Sequence, residues 1–311
     1  MNKDYFSFHG EGGSLFGIYI KNIFLCLFTL GLYIPWAIVN ITKYTYTNLE
    51  FKERRFDYTG TGKEIFKGFI KAILIIIGVA LLVGLISSLG VDILTGLVML
   101  ALYIAYFVAI PYVMHYAMKY DSANTTYAGI RFGYRGDLEE FIKLFLKGVL
   151  FTILSVGIYG AWFSVDLRKY ISKNSRLGNA EFSFEGDGME YFILNVKGLL
   201  LSSLTLGIYM FWWIKDIFNY TVENTKMHYQ EQAYSFNSEV SGGKLFGLFF
   251  SNMLLIVFTL GFGIAWADVR TYRFLCENCS LENDIDVESI EQTEPTYHDA
   301  IGIGGLEAMS N

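Results

Sequence analysis

Charge is scarce in this sequence. Of its 311 residues only 17% are Asp, Glu, Lys or Arg, against about 25% in soluble domains, which argues against a fully solvated globular protein. Proline is nearly missing, at three residues, so little interrupts a helix. Three cysteines exclude a disulfide framework. The first residues, "MNKDYFSFHGEGG", lack an apolar stretch followed by a cleavage site and are not expected to be a secretory signal. What is abundant is apolar: 53% of residues are hydrophobic, 17% are aromatic, and mean hydropathy is +0.37. The charge that exists is unevenly spread. Nine acidic and no basic residues follow Arg273, which leaves 24 basic against 21 acidic residues before it. The body is mildly basic, and residues 281–311 read as an acidic, flexible tail, with a docking segment as the other reading.

Membrane segments need about 20 mostly apolar residues. Six stretches qualify in whole or part, near 14–38, 66–89, 94–118, 148–167, 192–214 and 245–267. "AILIIIGVALLVGLISSLG" and "ILTGLVMLALYIAYFVAIPYVM" are the strongest, and only a short turn separates them.

One phrase recurs: "TLGLYIPW", "SVGIYGAW", "TLGIYMFW" and "TLGFGIAW". Aligned on Gly31, Gly157, Gly207 and Gly261, each copy places Trp five residues on, at Trp36, Trp162, Trp212 and Trp266. An aromatic follows eight beyond Trp (Tyr44, Tyr170, Tyr220, Phe274), then Asn at Asn48, Asn174, Asn224 and Asn278. Ten residues before the Gly stand Lys21, Lys147 and Lys197, with Ser251 in the last copy. A fifth copy at 56–124 aligns Lys71 with Lys21 and Asn124 with Asn48, and carries 26 extra apolar residues where the phrase would be. Repeats of this length organise a fold. The units run about 5–50, 51–126, 127–176, 177–228 and 229–280, forming one membrane domain over 1–280. Alternating aromatics bounded by Asn and Gly link the units, a strand-pair signal.

Two threadings fit. In one, each ordinary copy spans once. The 21 residues from Phe192 to Trp212 measure about 31 Å as helix, close to the ~30 Å hydrocarbon core. In the other, the ordinary copies are re-entrant hairpins with the Gly at the tip, and the lengthened copy crosses fully. The adopted expectation is the first: an α-helical integral membrane protein with about six hydrophobic membrane segments from five internal repeats, with short extramembrane β-hairpins.

The stretches "FSFHGEGGSLFGIYIKNIFLCLFTLGLYIPWA", "FDYTGTGKEIFKGF" and "FSFEGDGMEYFILNVKGLLLSSLTLGIYMFW" resemble the YjgN family of bacterial inner-membrane proteins, a family without an assigned activity. The resemblance covers roughly residues 5–280 and departs at Gly263, where the family's Tyr is expected, and in the acidic tail. It implies a multi-pass protein of the bacterial inner membrane and no particular chemistry.

The residues carry no catalytic constellation. "GTGKE" at 60–64 lacks the spacing and the Ser or Thr of a phosphate loop. Cys276 and Cys279 form a lone CxxC without the four ligands of structural zinc. The four histidines are scattered. No cofactor or metal is indicated. Lys21, Lys71, Lys147 and Lys197 are the site candidates, because ionisable groups in membrane segments are costly and often functional. They read either as a ligand or lipid-headgroup site or as chains that snorkel to the interface. The glycines, tryptophans and asparagines of the repeat read as structural. The functional expectation is transport, or lipid or small-anion handling, through a cavity between repeats. The alternative is a non-transporting structural or sensory membrane protein that docks partners through its strand pairs and acidic tail. The partners expected are the lipid bilayer and a second copy or other membrane protein, with no nucleic acid.

Overall fold

The computed structural model describes residues 3–295 apart from 89, 91 and 284. The chain alternates short strands with pairs of helices. β1 (Lys3–Phe8) leads to α1 (Gly12–Phe28) and α2 (Ile34–Thr47), which return to β2 (Leu49–Phe51). β3 (Arg54–Tyr58), α3 (Gly62–Ser88), α4 (Asp92–Asn124) and β4 (Thr125–Tyr127) follow, then β5 (Ile130–Tyr134), α5 (Leu138–Leu154), α6 (Gly160–Asn174) and β6 (Ser175–Leu177). β7 (Ala180–Phe184), α7 (Gly188–Leu204), α8 (Met210–Glu223) and β8 (Thr225–Tyr229) precede β9 (Gln232–Ser238), α9 (Gly242–Phe258), α10 (Ile264–Glu277) and β10 (Cys279–Glu282).

The ten described strands form a closed antiparallel barrel in the order β1-β10-β9-β8-β7-β6-β5-β4-β3-β2. The first and last strands close it, with Lys3 opposite Glu282 and Tyr5 opposite Ser280. Closure removes the unpaired edges that strands this short would otherwise expose. Tight turns join the strands at one end. Both residues sit at positive φ in three of them: Lys52 and Glu53, Ala128 and Gly129, Gln230 and Glu231. That geometry matches the twist of paired strands. Period-two alternation sends one aromatic or aliphatic residue per strand inward. Phe6 stacks on Phe51 at 4.6 Å and on Phe236 at 6.5 Å, and Phe132 bridges Phe56 and Phe182. These rings surround an apolar cavity of about 210 Å³.

All five helix pairs leave the barrel at the end opposite the tight turns. Neighbouring pairs pack against each other, and α10 packs on α1 to close the ring. At the tight-turn end, residues 285–294 of the acidic tail cross the barrel mouth. Ile285, Val287 and Ile290 are buried there against the barrel core. Tyr229 donates its hydroxyl to the Ser289 carbonyl, Lys52 donates to the Ile285 carbonyl at 2.7 Å, and Asn179 exchanges two hydrogen bonds with Glu291. Arg54 pairs with Glu288, and Arg135 with Glu294 at 2.5 Å. The remainder of the tail, 296–311, lies outside the described residues.

The expectation of about six membrane segments with short extramembrane β-hairpins is corrected on two counts. Among the described residues two helices are long and apolar enough to cross a membrane, at Gly62–Ser88 and Thr95–Asn124. The strand pairs are parts of one barrel. The physical reason for the first correction is that each ordinary copy reverses direction at its Gly, so a mostly apolar stretch such as 192–212 makes a bent hairpin instead of a span.

Candidate functional site

The candidate site is the ring of helical hairpins, and its geometry follows from the repeated residues. At each tip the residue before Gly and the Gly itself adopt positive φ: Leu30 and Gly31 at 50° and 87°, Val156 and Gly157 at 54° and 91°, Leu206 and Gly207 at 51° and 89°, Leu260 and Gly261 at 51° and 92°. The glycine N–H reaches back five residues, from Gly207 to the Ser202 carbonyl at 2.7 Å and from Gly31 to Cys26 at 2.7 Å. This is a Schellman-type closure, which a left-handed residue makes possible. The hydroxyl before it then caps the next helix: Thr205 Oγ1 accepts from Tyr209 N at 2.9 Å, and Thr29, Ser155 and Thr259 do the same. Gly therefore bends the chain back.

At the barrel end, each repeat Asn fixes the return. Asn48, Asn124, Asn174, Asn224 and Asn278 each donate Nδ2 to the carbonyl four residues earlier, at 2.7–2.9 Å. The same five residues accept at their own carbonyls from His9, Thr59, Arg135, Glu185 and Glu239. The repeat Tyr secures the other end of the pair: Tyr44, Tyr170 and Tyr220 donate to the carbonyls of Glu11, Asp137 and Asp187 at 2.7–2.8 Å. Thr61 and Glu64 form a reciprocal cap at the start of α3, which Tyr120 joins by donating to Glu64 at 2.8 Å.

Each Trp locks one hairpin to the next. A Cβ added to Gly62, Gly188, Gly242 or Gly12 would lie 2.3–2.4 Å from the ring of Trp36, Trp162, Trp212 or Trp266 respectively. The last of these joins α10 to α1 and completes the ring. Where the partner position is Leu138, the tryptophan position is the smaller Tyr112. Inside the four ordinary hairpins a second exchange recurs. Asn22 and Asn252 face Ala37 and Ala267 and hydrogen-bond their carbonyls at 3.3 and 3.2 Å. At the matching positions Gly148 and Gly198 leave room for Phe163 and Trp213. The sequence reading missed both exchanges. The signal was present in the aligned copies as volume swapped between two columns, large for small.

The tips are apolar and bare. Leu30 and Leu206 are 95% exposed, Val156 92% and Leu260 89%. Charge stops well short of them. Lys21, Lys147 and Lys197 each precede their tip leucine or valine by nine residues, about 14 Å of helix. Ser251 takes the fifth place, where the Arg270 guanidinium donates to it at 2.9 Å. Lys71 precedes Ser88 by 17 residues, about 26 Å.

The structure places the four lysines on four different hairpins, and Lys21, Lys147 and Lys197 are exposed. Lys21 lies in a groove of its own hairpin with Asn40 and Lys43, and Lys147 in a separate groove with Glu140, Lys143 and Asp166. Residues 285–294 of the acidic tail lie at the barrel's far mouth, away from these grooves. Cys276 and Cys279 are partly buried free thiols, and burial pushes their pKa values up to about 12 and about 11. Burial therefore favours the thiol over the thiolate at neutral pH.

Fold and site together define a class: a repeat-built protein in which a closed antiparallel barrel carries a ring of apolar helical hairpins on one end. The chain belongs to the DUF898 family, described as a bacterial protein of unknown function, whose model matches residues 3–187, 179–234 and 213–308. It is similar to the inner membrane protein YjgN of Salmonella typhimurium, 26% identical over 170 residues that make up 51% of this chain and 41% of the relative. It is also similar to YjgN of Escherichia coli strain K12, 30% identical over 136 residues, 44% of this chain and 32% of the relative. The matched stretches thus span less than half the length of these curated relatives. No solved structure matches the chain.

Proposed function

We propose that this chain is a bacterial inner-membrane protein that works at the cytoplasmic leaflet, as a non-transporting structural or sensory module and not as a solute pathway. The observation that carries this reading is the charge-free reach of the hairpins. With Lys21, Lys147 and Lys197 at the headgroup boundary, tips about 14 Å further on stop near the middle of a ~30 Å core. Among the described residues only the α3–α4 hairpin is long enough to continue through. A pathway needs polar residues that meet at depth, and the lysines sit apart on separate hairpins. Location in the inner membrane is drawn from the relatives, which are inner membrane proteins by name.

Orientation follows from charge. All 24 Lys and Arg lie outside 72–118, and Asp92 is the one charged residue within it. If α3 and α4 cross, every basic residue is on the barrel side, and basic loops stay cytoplasmic. In right-side-out cells with the native cysteines replaced, D92C is expected to react with an impermeant maleimide, and E53C in the β2–β3 turn to react only after permeabilisation. Labelling of both from the same side would refute the topology.

A further inference from the structure

We infer that the groove between α1 and α2 is a binding site for an anionic phospholipid of the cytoplasmic leaflet, with Lys21 and Lys43 as its phosphate ligands; this rests on the leaflet reading above. The five hairpins share one frame, so the charge in each groove can be compared position by position. In the first hairpin the groove holds about 290 Å³ and is lined by Ile18, Lys21, Asn40, Lys43, Tyr44 and Thr47. Both lysines are exposed, and neither ammonium group makes an ion pair or hydrogen bond among the described residues. In the third hairpin Asp166 occupies the place of Asn40, and Glu140 adds a second carboxylate beside Lys143 and Lys147. The four charges lining that groove balance, and Lys169, at the place of Lys43, interacts with Asp187. In the second hairpin Lys71 and Lys119 hold the places of Lys21 and Lys43, and each has an interaction partner. In the fourth, Asp216 takes the same place and pairs with Lys215 at 2.5 Å. In the fifth, Arg270 is engaged by Ser251, and Arg273 by the carbonyls of Phe8 and Gly10.

The first groove is thus left with two uncompensated ammonium groups at the boundary where apolar surface begins. Asn40 cannot neutralise them. Its side chain is uncharged, and its amide N–H groups are given to Asn22 at 3.0 Å and Tyr33 at 3.2 Å. Below Lys21 on the same helix stripe, at spacings of three and seven, come Phe24 and Phe28. Their rings stack at 6.4 Å, and they are 56% and 81% exposed. A phosphodiester between the two lysines would place an acyl chain along these rings. A lipid of net charge −1 answers the double positive charge. A zwitterionic lipid brings an ammonium group into repulsion with it.

Native mass spectrometry of the full chain released from micelles doped with dioleoyl phosphatidylglycerol or dioleoyl phosphatidylethanolamine tests this. The expected result is a retained phosphatidylglycerol adduct that outlasts the phosphatidylethanolamine adduct. It should fall about tenfold in K21Q/K43Q, return in K21R/K43R and be unchanged in K147Q. Millimolar glycerol phosphate should not displace it. Equal retention of the two lipids, or loss of the adduct in K147Q as readily as in K21Q/K43Q, overturns the assignment. Displacement by glycerol phosphate alone would make the groove a site for a soluble anion and also overturn it. Labelling at Asp92 and Glu53 reports the topology separately, so failure of the leaflet reading and failure of the lipid site are distinguishable.

Discussion

Gly207 and Gly198 illustrate two costs of adding one methyl group. At Gly207 (φ +89°) no atom lies near the place of a Cβ, so Gly207→Ala meets only the left-handed backbone penalty, about 1–2 kcal/mol. At Gly198 a Cβ would come within 2.2 Å of Trp213, so Gly198→Ala forces two helices apart and costs more, up to about 3 kcal/mol. Thermal unfolding in detergent should rank them in that order. Tyr220→Phe removes the hydrogen bond to Asp187 and should cost about 1 kcal/mol; Phe274, which fills the same repeat position, shows that the frame tolerates its loss. Burial of Cys276 and Cys279 raises both thiols, to about 12 and about 11, from the usual 9.0. Raised thiols favour the folded state below pH 9, and this contribution is lost as pH climbs through 11 to 12. Both should resist iodoacetamide at pH 7.5 in the folded protein and react on unfolding, which mass spectrometry of the alkylated peptides would show.

At the scale of elements, the copies were legible and the direction of the chain was not. The alignment on Gly31, Gly157, Gly207 and Gly261 placed the Trp and Asn correctly, because side-chain identity recurs at fixed spacing. Hydropathy cannot tell a bent hairpin from a span when both are equally apolar, and the 21 residues from Phe192 to Trp212 match a bilayer in length. The information lay in two backbone angles per tip, which Leu206 and Gly207 reveal only in three dimensions. Likewise β2, β4 and β6 have three residues each, too few for a periodicity to declare a barrel, and its closure pairs residues as far apart as Lys3 and Glu282. The lengthened hairpin supplies an element-scale test. Replacing 72–110 with residues 22–34 of the first copy should give a fifth short hairpin on an intact barrel. Circular dichroism should show the folded protein, and no engineered cysteine at its new tip should label from the periplasm.

The whole molecule joins two apolar systems through one barrel. At one mouth, residues 285–294 bury Ile285, Val287 and Ile290 over the aromatic cavity. At the other, the four ordinary hairpins splay bare apolar tips outward. Truncation after Glu282 would uncover the cavity. Full burial of a Val or Ile side chain is worth about 1.5–3 kcal/mol, so the truncated chain should unfold at a distinctly lower temperature and bind an environment-sensitive dye that the full chain does not. The central claim concerns depth. A spin label on L206C, in liposomes bearing the protein, reads its distance from the headgroups through collisions with oxygen and a nickel chelate. The label is expected near the bilayer centre, rich in oxygen contact and shielded from nickel, with D92C at the opposite aqueous surface. A Leu206 label exposed to nickel on either face of the membrane would contradict it.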